Sequence, residues 1–163
     1  MDIFDGKFLD GCSVDVDPPF DGPVSQAAIA AWRQRFPDAT LTEPLWGDHL
    51  MAMHEIASSL IVKDVADGGT TYANRFWGTR IVTAFGFDAT RKSLADYYDP
   101  LHVDQLHQLY ELTFAERRPV KIGGNATFFE GREFVEFESA QLPIFAPDGR
   151  PAHVLVSYDF FRG

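Results

Sequence analysis

The side chains of this sequence equipped for acid–base or ligand chemistry are its carboxylates, its five histidines and its single cysteine. Glu136 and Glu138 alternate with Val135 and Phe137, so both carboxylates fall on one face of a strand, and that face is expected to meet solvent. Asp96 and Asp99 read as loop and helix-end residues. His49 and His54 are five positions apart, which misses the four-residue spacing that puts two ligands on one helical face; no metal site is expected. His107 flanks an apolar helical stripe and is the histidine best placed to hold a heme iron, with His102 farther from the stripe. A heme needs a large apolar pocket, and the abundant aromatic residues are expected to fill that space instead, so no cofactor is assigned. Gly123-Gly124-Asn125 falls inside an extended segment rather than between a strand and a helix, which reads as a bulge and not as a phosphate-binding loop.

The elements that must position these groups follow from periodicity. The first twenty residues mix acidic residues, Gly and Pro with no sustained period and are expected to be loosely ordered. Over 24–36, Ala28, Ile29, Trp32 and Phe36 recur at helical spacing until Pro37 stops them. A second helix follows Trp46-Gly47, with Asp48 as cap and Leu50, Met53 and Ile56 on one side. The period then shortens. Strands are predicted over 59–65 and 71–77 about the turn Asp67-Gly68-Gly69. Short helical pieces come next over 79–85, with Thr79 as cap, and over 93–98. A longer helix over 102–117 presents Val103, Leu106, Tyr110 and Phe114 as one stripe. Three strands close the chain over 120–129, 134–142 and 152–161, the last placing Val154, Val156, Tyr158 and Phe160 on one face.

Two strands, a helical block and three strands define an α+β domain. Its expected architecture is a five-stranded antiparallel sheet covered on one face by short helices and one longer helix, over 45–163. Residues 1–44 make a flexible start and an amphipathic helical extension.

Composition restricts the function classes. The 163 residues are 45% hydrophobic and 14% aromatic, with fifteen Phe, enough for a real core. A net charge of −10 and the absence of a dense Lys/Arg cluster argue against nucleic acid and anionic membranes as partners. Cys12 has no second cysteine with which to form an intrachain disulfide, the first residues are acidic rather than signal-like, and a cytoplasmic location is expected.

Leu45-Trp46, the run Leu60-Ile61-Val62-Lys63-Asp64-Val65, the segment 75–86 (Arg-Phe-Trp-Gly-Thr-Arg-Ile-Val-Thr-Ala-Phe-Gly), and Glu138 ahead of Leu142-Pro143-Ile144 and Asp148-Gly149 carry a resemblance. Over 45–161 the chain resembles a family of PAS domains found mainly as short stand-alone proteins in alphaproteobacteria. The resemblance implies a PAS fold, a sensory or regulatory role and no established catalytic residues. Thr90-Arg91-Lys92 departs from the family's usual Thr-Gly turn, and Phe76-Trp77 is a bulky pair for the second strand. Flavin photochemistry of the light-oxygen-voltage kind needs a cysteine in the helical crossover, and Cys12 lies far upstream of it.

Any small-molecule site would lie between the sheet and the long helix. Tyr72 and Phe76 would line it from one strand, Tyr110 and Phe114 from the helix with His107 beside them, and Asn125 and Thr127 from the opposing strand. Plain core packing explains the same aromatic residues. Ile29, Trp32 and Phe36, together with Leu109 and Leu112 on a second helical strip, leave apolar surface that predicts a homodimer. A sensory module working through a ligand or a signalling partner is the leading reading. A small cone-shaped α+β enzyme is the alternative, and a buried Asp–His pair would favour it.

Overall fold

The structure is a computed structural model and describes residues 2 and 4–162. Among them six strands pair into one sheet: β1 (Ser13–Val16), β2 (Leu60–Ala66), β3 (Thr71–Trp77), β4 (Val120–Asn125), β5 (Glu136–Phe145) and β6 (Pro151–Arg162). Every pairing is antiparallel, in the order β1-β4-β5-β6-β2-β3. Short turns make β2–β3 and β5–β6 hairpins. The helical block between them carries the chain across one face, so that the first strand of one group lies beside the last strand of the other.

Four α-helices accompany the sheet among the described residues: α1 (Pro23–Arg35), α2 (Trp46–Ala52), α3 (Thr79–Phe85) and α4 (Pro100–Glu116). Pro100 at the first helical position opens α4, and Arg117 in a left-handed conformation ends it before Pro119. None of these helices is long and apolar enough to cross a membrane. At the start of α3 the backbone runs so close to the turn before β2 that a β-carbon on Gly78 would overlap the carbonyl of Ser58, a requirement only glycine meets.

The sheet is buried on both faces, and most corrections to the sequence reading stem from that. α3 and α4 cover the inner face. α1 lies across β5 and β6 on the outer face, where Trp32 Nε1 donates to the Pro143 carbonyl at 2.8 Å. Ile29, Trp32 and Phe36, apolar surface expected to need covering, are therefore buried against the chain's own sheet. Leu109 is likewise buried, because the covered stripe of α4 is broader than expected and runs through His102, Leu106, Leu109, Tyr110, Thr113 and Phe114; Leu112 is half-buried beside it. Glu138, expected at the solvent, has the predicted facing but lies beneath α1, 2% exposed.

Residues 13–16, expected to be loosely ordered, add the sixth strand by pairing with β4. No bulge interrupts β4, which keeps one register with each neighbour; Gly124 instead lets the backbone of Cys12 approach. That strand ends at Asn125, short of the expected 129, since residues 126–135 fold back through local turns. α2 starts at Trp46 ahead of Asp48, and Gly78 rather than Thr79 precedes α3 as its cap residue.

Candidate ligand site

β2 carries a lysine at a core-facing position. Ile61 and Lys63 point to the inner face, while Val62 and Asp64 point to the outer. Lys63 is 3% exposed, and its ammonium meets two neutral acceptors, Asn74 Oδ1 at 2.8 Å and Tyr97 Oη at 3.2 Å. Among the described residues no carboxylate lies within ion-pair distance of it. Burial alone pushes the Lys63 ammonium down from its ordinary 10.5 to about 7.

Asn74 is Lys63's cross-strand partner, and it faces inward with its amide fully committed. Its Nδ2 donates to the Ala89 carbonyl at 3.0 Å and to Tyr97 Oη at 3.0 Å, and its backbone is held by Arg91 and Lys92. One residue on, β3 bulges: Lys63 pairs with Asn74 but Val62 pairs with Phe76, leaving Arg75 extra. The bulge exchanges the faces of the two residues after it. Trp77 enters the interior, and Phe76, placed there by strict alternation from Tyr72, sits on the opposite side and is half-buried.

Lys63, Trp77, Tyr97, Tyr98, Tyr110 and Tyr158 enclose a cavity of about 10 Å³, space for roughly one water molecule. Burial pushes the ionisation of Tyr98, Tyr110 and Tyr158 upward, and their closeness to one another and to Tyr97 adds to the shift. Tyr97 precedes α4 in an irregular stretch anchored by a capping box between Ser93 and Asp96. The interior is thus nearly filled, and the small residual space, lined mainly by apolar side chains, carries the Lys63 ammonium and several phenol groups.

The residues expected to line a site separate into three groups. Tyr72, His107 and Tyr110 do meet: the Tyr72 ring lies 5.4 Å from His107 and 4.7 Å from Tyr110. Phe114 is buried at the far end of α4, edge-on to Phe145 at 5.3 Å, outside the cavity lining. Asn125 and Thr127 are exposed. Asn125 donates to the Glu133 carbonyl, and Thr127 donates to the carbonyls of Leu9 and Asp10, so both stabilise loops rather than face a ligand.

Among the described residues two Asp–His pairs are present, neither in that interior. His153 Nδ1 lies 3.0 Å from Asp64 Oδ1 on the outer face, with Trp46 edge-on to the imidazole at 5.2 Å. The same Asp64 oxygen accepts from Arg75 Nε at 2.8 Å. Burial raises the Asp64 carboxyl, but hydrogen bonds from His153 and Arg75 outweigh it and hold the group below its usual range. His102 Nε2 lies 3.1 Å from Asp10 Oδ2 at the start of α4. The groups that titrate and face the interior are Lys63 and the phenols around it.

Lys63, Asn74, Trp77, Tyr97, Tyr98 and Tyr158 are the residues the sequence reading did not place in a site. One signal for the first was available: Ile61-x-Lys63-x-Val65 puts a cation in the middle of a core-facing stripe.

Beneath α1 the sheet holds a second buried polar cluster. Asp159 accepts from the backbone N–H groups of Val24 at 2.9 Å and Ser25 at 2.8 Å, and so caps a helix whose own cap residue is Gly22. Its cross-strand neighbour Glu138 accepts from the N–H groups of Asp21 and Gly22 and pairs with Lys121 at 3.3 Å. Ser25 and Ser157 share a hydroxyl hydrogen bond at 3.0 Å.

No protein-family model and no curated protein matches the sequence. Among solved structures, an RNA-binding light-oxygen-voltage receptor is similar over 91% of this chain and 38% of its own length, at 15% identity and a TM-score of 0.53. The PAS-B domain of Drosophila melanogaster Cycle, with bound glycerol, is similar over 63% of this chain and 99% of its own, at 12% identity and a TM-score of 0.46. This chain thus spans little more than a third of the receptor's length. What the likeness to the receptor carries is the fold: the sheet order and the helical crossover are those of a PAS-like α+β domain.

Proposed function

We propose that the chain is a non-catalytic sensory or regulatory module whose input site is the interior around Lys63 and whose output is the seating of α1. One observation carries the reading. On β6, Tyr158 lines the cavity while its neighbours Ser157 and Asp159 hold α1 from the opposite face, so a shift of one strand is felt on both sides. The module acts in the cytoplasm through a protein partner that reads α1. Because the helical stripe is already covered, a homodimer would be built on side chains left exposed, such as Leu45 ahead of α2 and Met51 within it, and sedimentation at micromolar concentration tests it. The PAS-like fold and an interior without an acid–base pair support a binding role over the enzyme.

Hydrogen exchange decides the reading. Lys63→Met alters only the inner face, yet the amides of Val24 and Ser25 on α1 are expected to change their protection. Unchanged exchange along α1, with altered exchange in β2 and β3, would refute the coupling.

A further inference from the structure

The cavity around Lys63 holds a buried donor without an acceptor. The ammonium carries three N–H groups, of which two reach Asn74 and Tyr97. Tyr97 Oη already accepts from Lys63 and from Asn74 Nδ2, so its own proton must be given elsewhere. Trp77 Nε1 is buried, has no hydrogen-bond partner, and belongs to a ring lining the same space. Gln141 gives its Nε2 to Ser139, and its carbonyl and the phenol oxygens of Tyr98, Tyr110 and Tyr158 are the neutral acceptors of the lining. Buried donors without acceptors are costly, and a buried ammonium without a counter-charge costs more. An electron-rich occupant offsets both.

Size and charge limit that occupant. A single cation calls for a single negative charge, and the space is that of roughly one water. Phosphate and sulfate are too large and would leave charge unpaired. We infer that the cavity binds a small single-atom monoanion, a halide, seated on the Lys63 ammonium and accepting hydrogen bonds from Tyr97 and Trp77. Entry requires only a small outward movement of the aromatic wall, the same displacement of Tyr158 that would reach Asp159. This inference rests on the interior being the input site and adds the chemical class of what enters it. The groups facing Lys63 from the other elements are Tyr97 ahead of α4, Tyr110 on α4 and Tyr158 on β6, and all are neutral near pH 7, so the binding site's own titration is that of the lysine.

Thermal unfolding of the full chain in a halide-free buffer tests it, with sodium fluoride, chloride or bromide added and sodium gluconate as the ionic-strength control. At pH 6.5 at least one of the three halides is expected to raise Tm saturably, and the order among them reports the size the cavity accepts. Apparent affinity should fall about tenfold per pH unit above about 7, as the ammonium is lost. Lys63→Met should abolish the response, and Trp77→Phe, which keeps the charge and removes one donor, should weaken it about tenfold. A parent protein that responds no more to the small anions than to gluconate overturns the inference, as does a response that survives Lys63→Met. If Lys63→Met does not fold, a Trp77→Phe affinity equal to that of the parent overturns it. Should no anion bind while Lys63→Met still alters α1 exchange, the anion assignment fails and the sensory reading stands.

Discussion

Lys63 and Asn74 face each other across β2 and β3, joined at 2.8 Å, and this neutral amide is the nearest thing the ammonium has to a counter-charge. The folded protein gives up the Lys63 proton near pH 7, whereas the unfolded chain keeps it to 10.5. Between those values the unfolded state binds more protons, so stability rises with pH. The buried thiol and phenols oppose the rise, Tyr97, Tyr98, Tyr110 and Tyr158 among them because burial holds their protons on past the ordinary 10.0. The Cys12 thiol, ordinarily 9.0, and the Tyr72 hydroxyl, ordinarily 10.0, are each held up to about 12, so the unfolded state loses these protons first and stability falls as pH climbs past their ordinary values. Denaturant unfolding should therefore show stability increasing from pH 7 to a maximum near pH 9, by roughly 1 to 3 kcal/mol. Lys63→Met should flatten that limb. A parent protein whose stability falls steadily from pH 7 to 9 contradicts the buried ammonium.

Asp159 and Gly22 form the joint between the sheet and α1. Asp159→Ala strips the acceptor from two buried N–H groups and should cost about 1 to 3 kcal/mol. Gly22→Ala should also destabilise, because a β-carbon there overlaps the Asp159 carboxylate. The two losses share one cause. Their combination should cost clearly less than the sum, and additive denaturation midpoints would show that the clash is relieved in another way.

How much of this was legible can be argued from the same strands. Element order and antiparallel pairing came from hairpin turns and from periods that switch between two and near four. Alternation also assigned Glu138 its correct face. It could not say what covers that face, since α1 docks from more than a hundred residues away in sequence. From Tyr72 the period of two leads to Phe76, and only the three-dimensional pairing reveals the extra residue at Arg75 that substitutes Trp77. Tyr97 and Tyr98 come from an irregular stretch with no period at all, and they supply half of the cavity's phenols. Tyr110 was expected from its helical stripe, and Lys63, a cation inside an apolar stripe, carried a signal that periodicity makes visible.

A purified chain should be colourless. The interior keeps about 10 Å³, far below what a tetrapyrrole or an isoalloxazine occupies, and His107 lies against the Tyr72 ring. A visible absorption band that stays with the protein through gel filtration would require an interior different from this one.

Cys12 should resist alkylation. The side chain is fully buried, and burial first, then the negative charge of Asp10, raises the thiol to about 12, leaving almost no thiolate at pH 8. Iodoacetamide should label the urea-unfolded chain completely and the native chain only as fast as the protein opens. Rapid native labelling would mean that β1 detaches from β4 far more readily than the packing of Phe8, Cys12 and Val14 implies.

The turn at Thr90-Arg91-Lys92 offers a gain rather than a loss. Arg91 adopts φ 67°, the left-handed region in which a β-carbon is strained, and its side chain is exposed. The strain persists because the turn holds Asn74: the Arg91 N–H donates to the Asn74 carbonyl at 2.7 Å, and the Asn74 N–H donates to the Lys92 carbonyl at 2.9 Å. A glycine at this position adopts the same φ without that strain, at the cost of a more flexible unfolded chain. Relief of the left-handed strain is the larger of the two terms, so Arg91→Gly should stabilise the protein by about 0.5 to 1 kcal/mol. Arg91→Ala, which keeps the β-carbon and removes the guanidinium, should leave stability nearly unchanged. The pair of variants separates backbone strain from charge. If alanine stabilises as much as glycine, the gain comes from removing the guanidinium, and the turn does not hold Asn74 at a conformational cost.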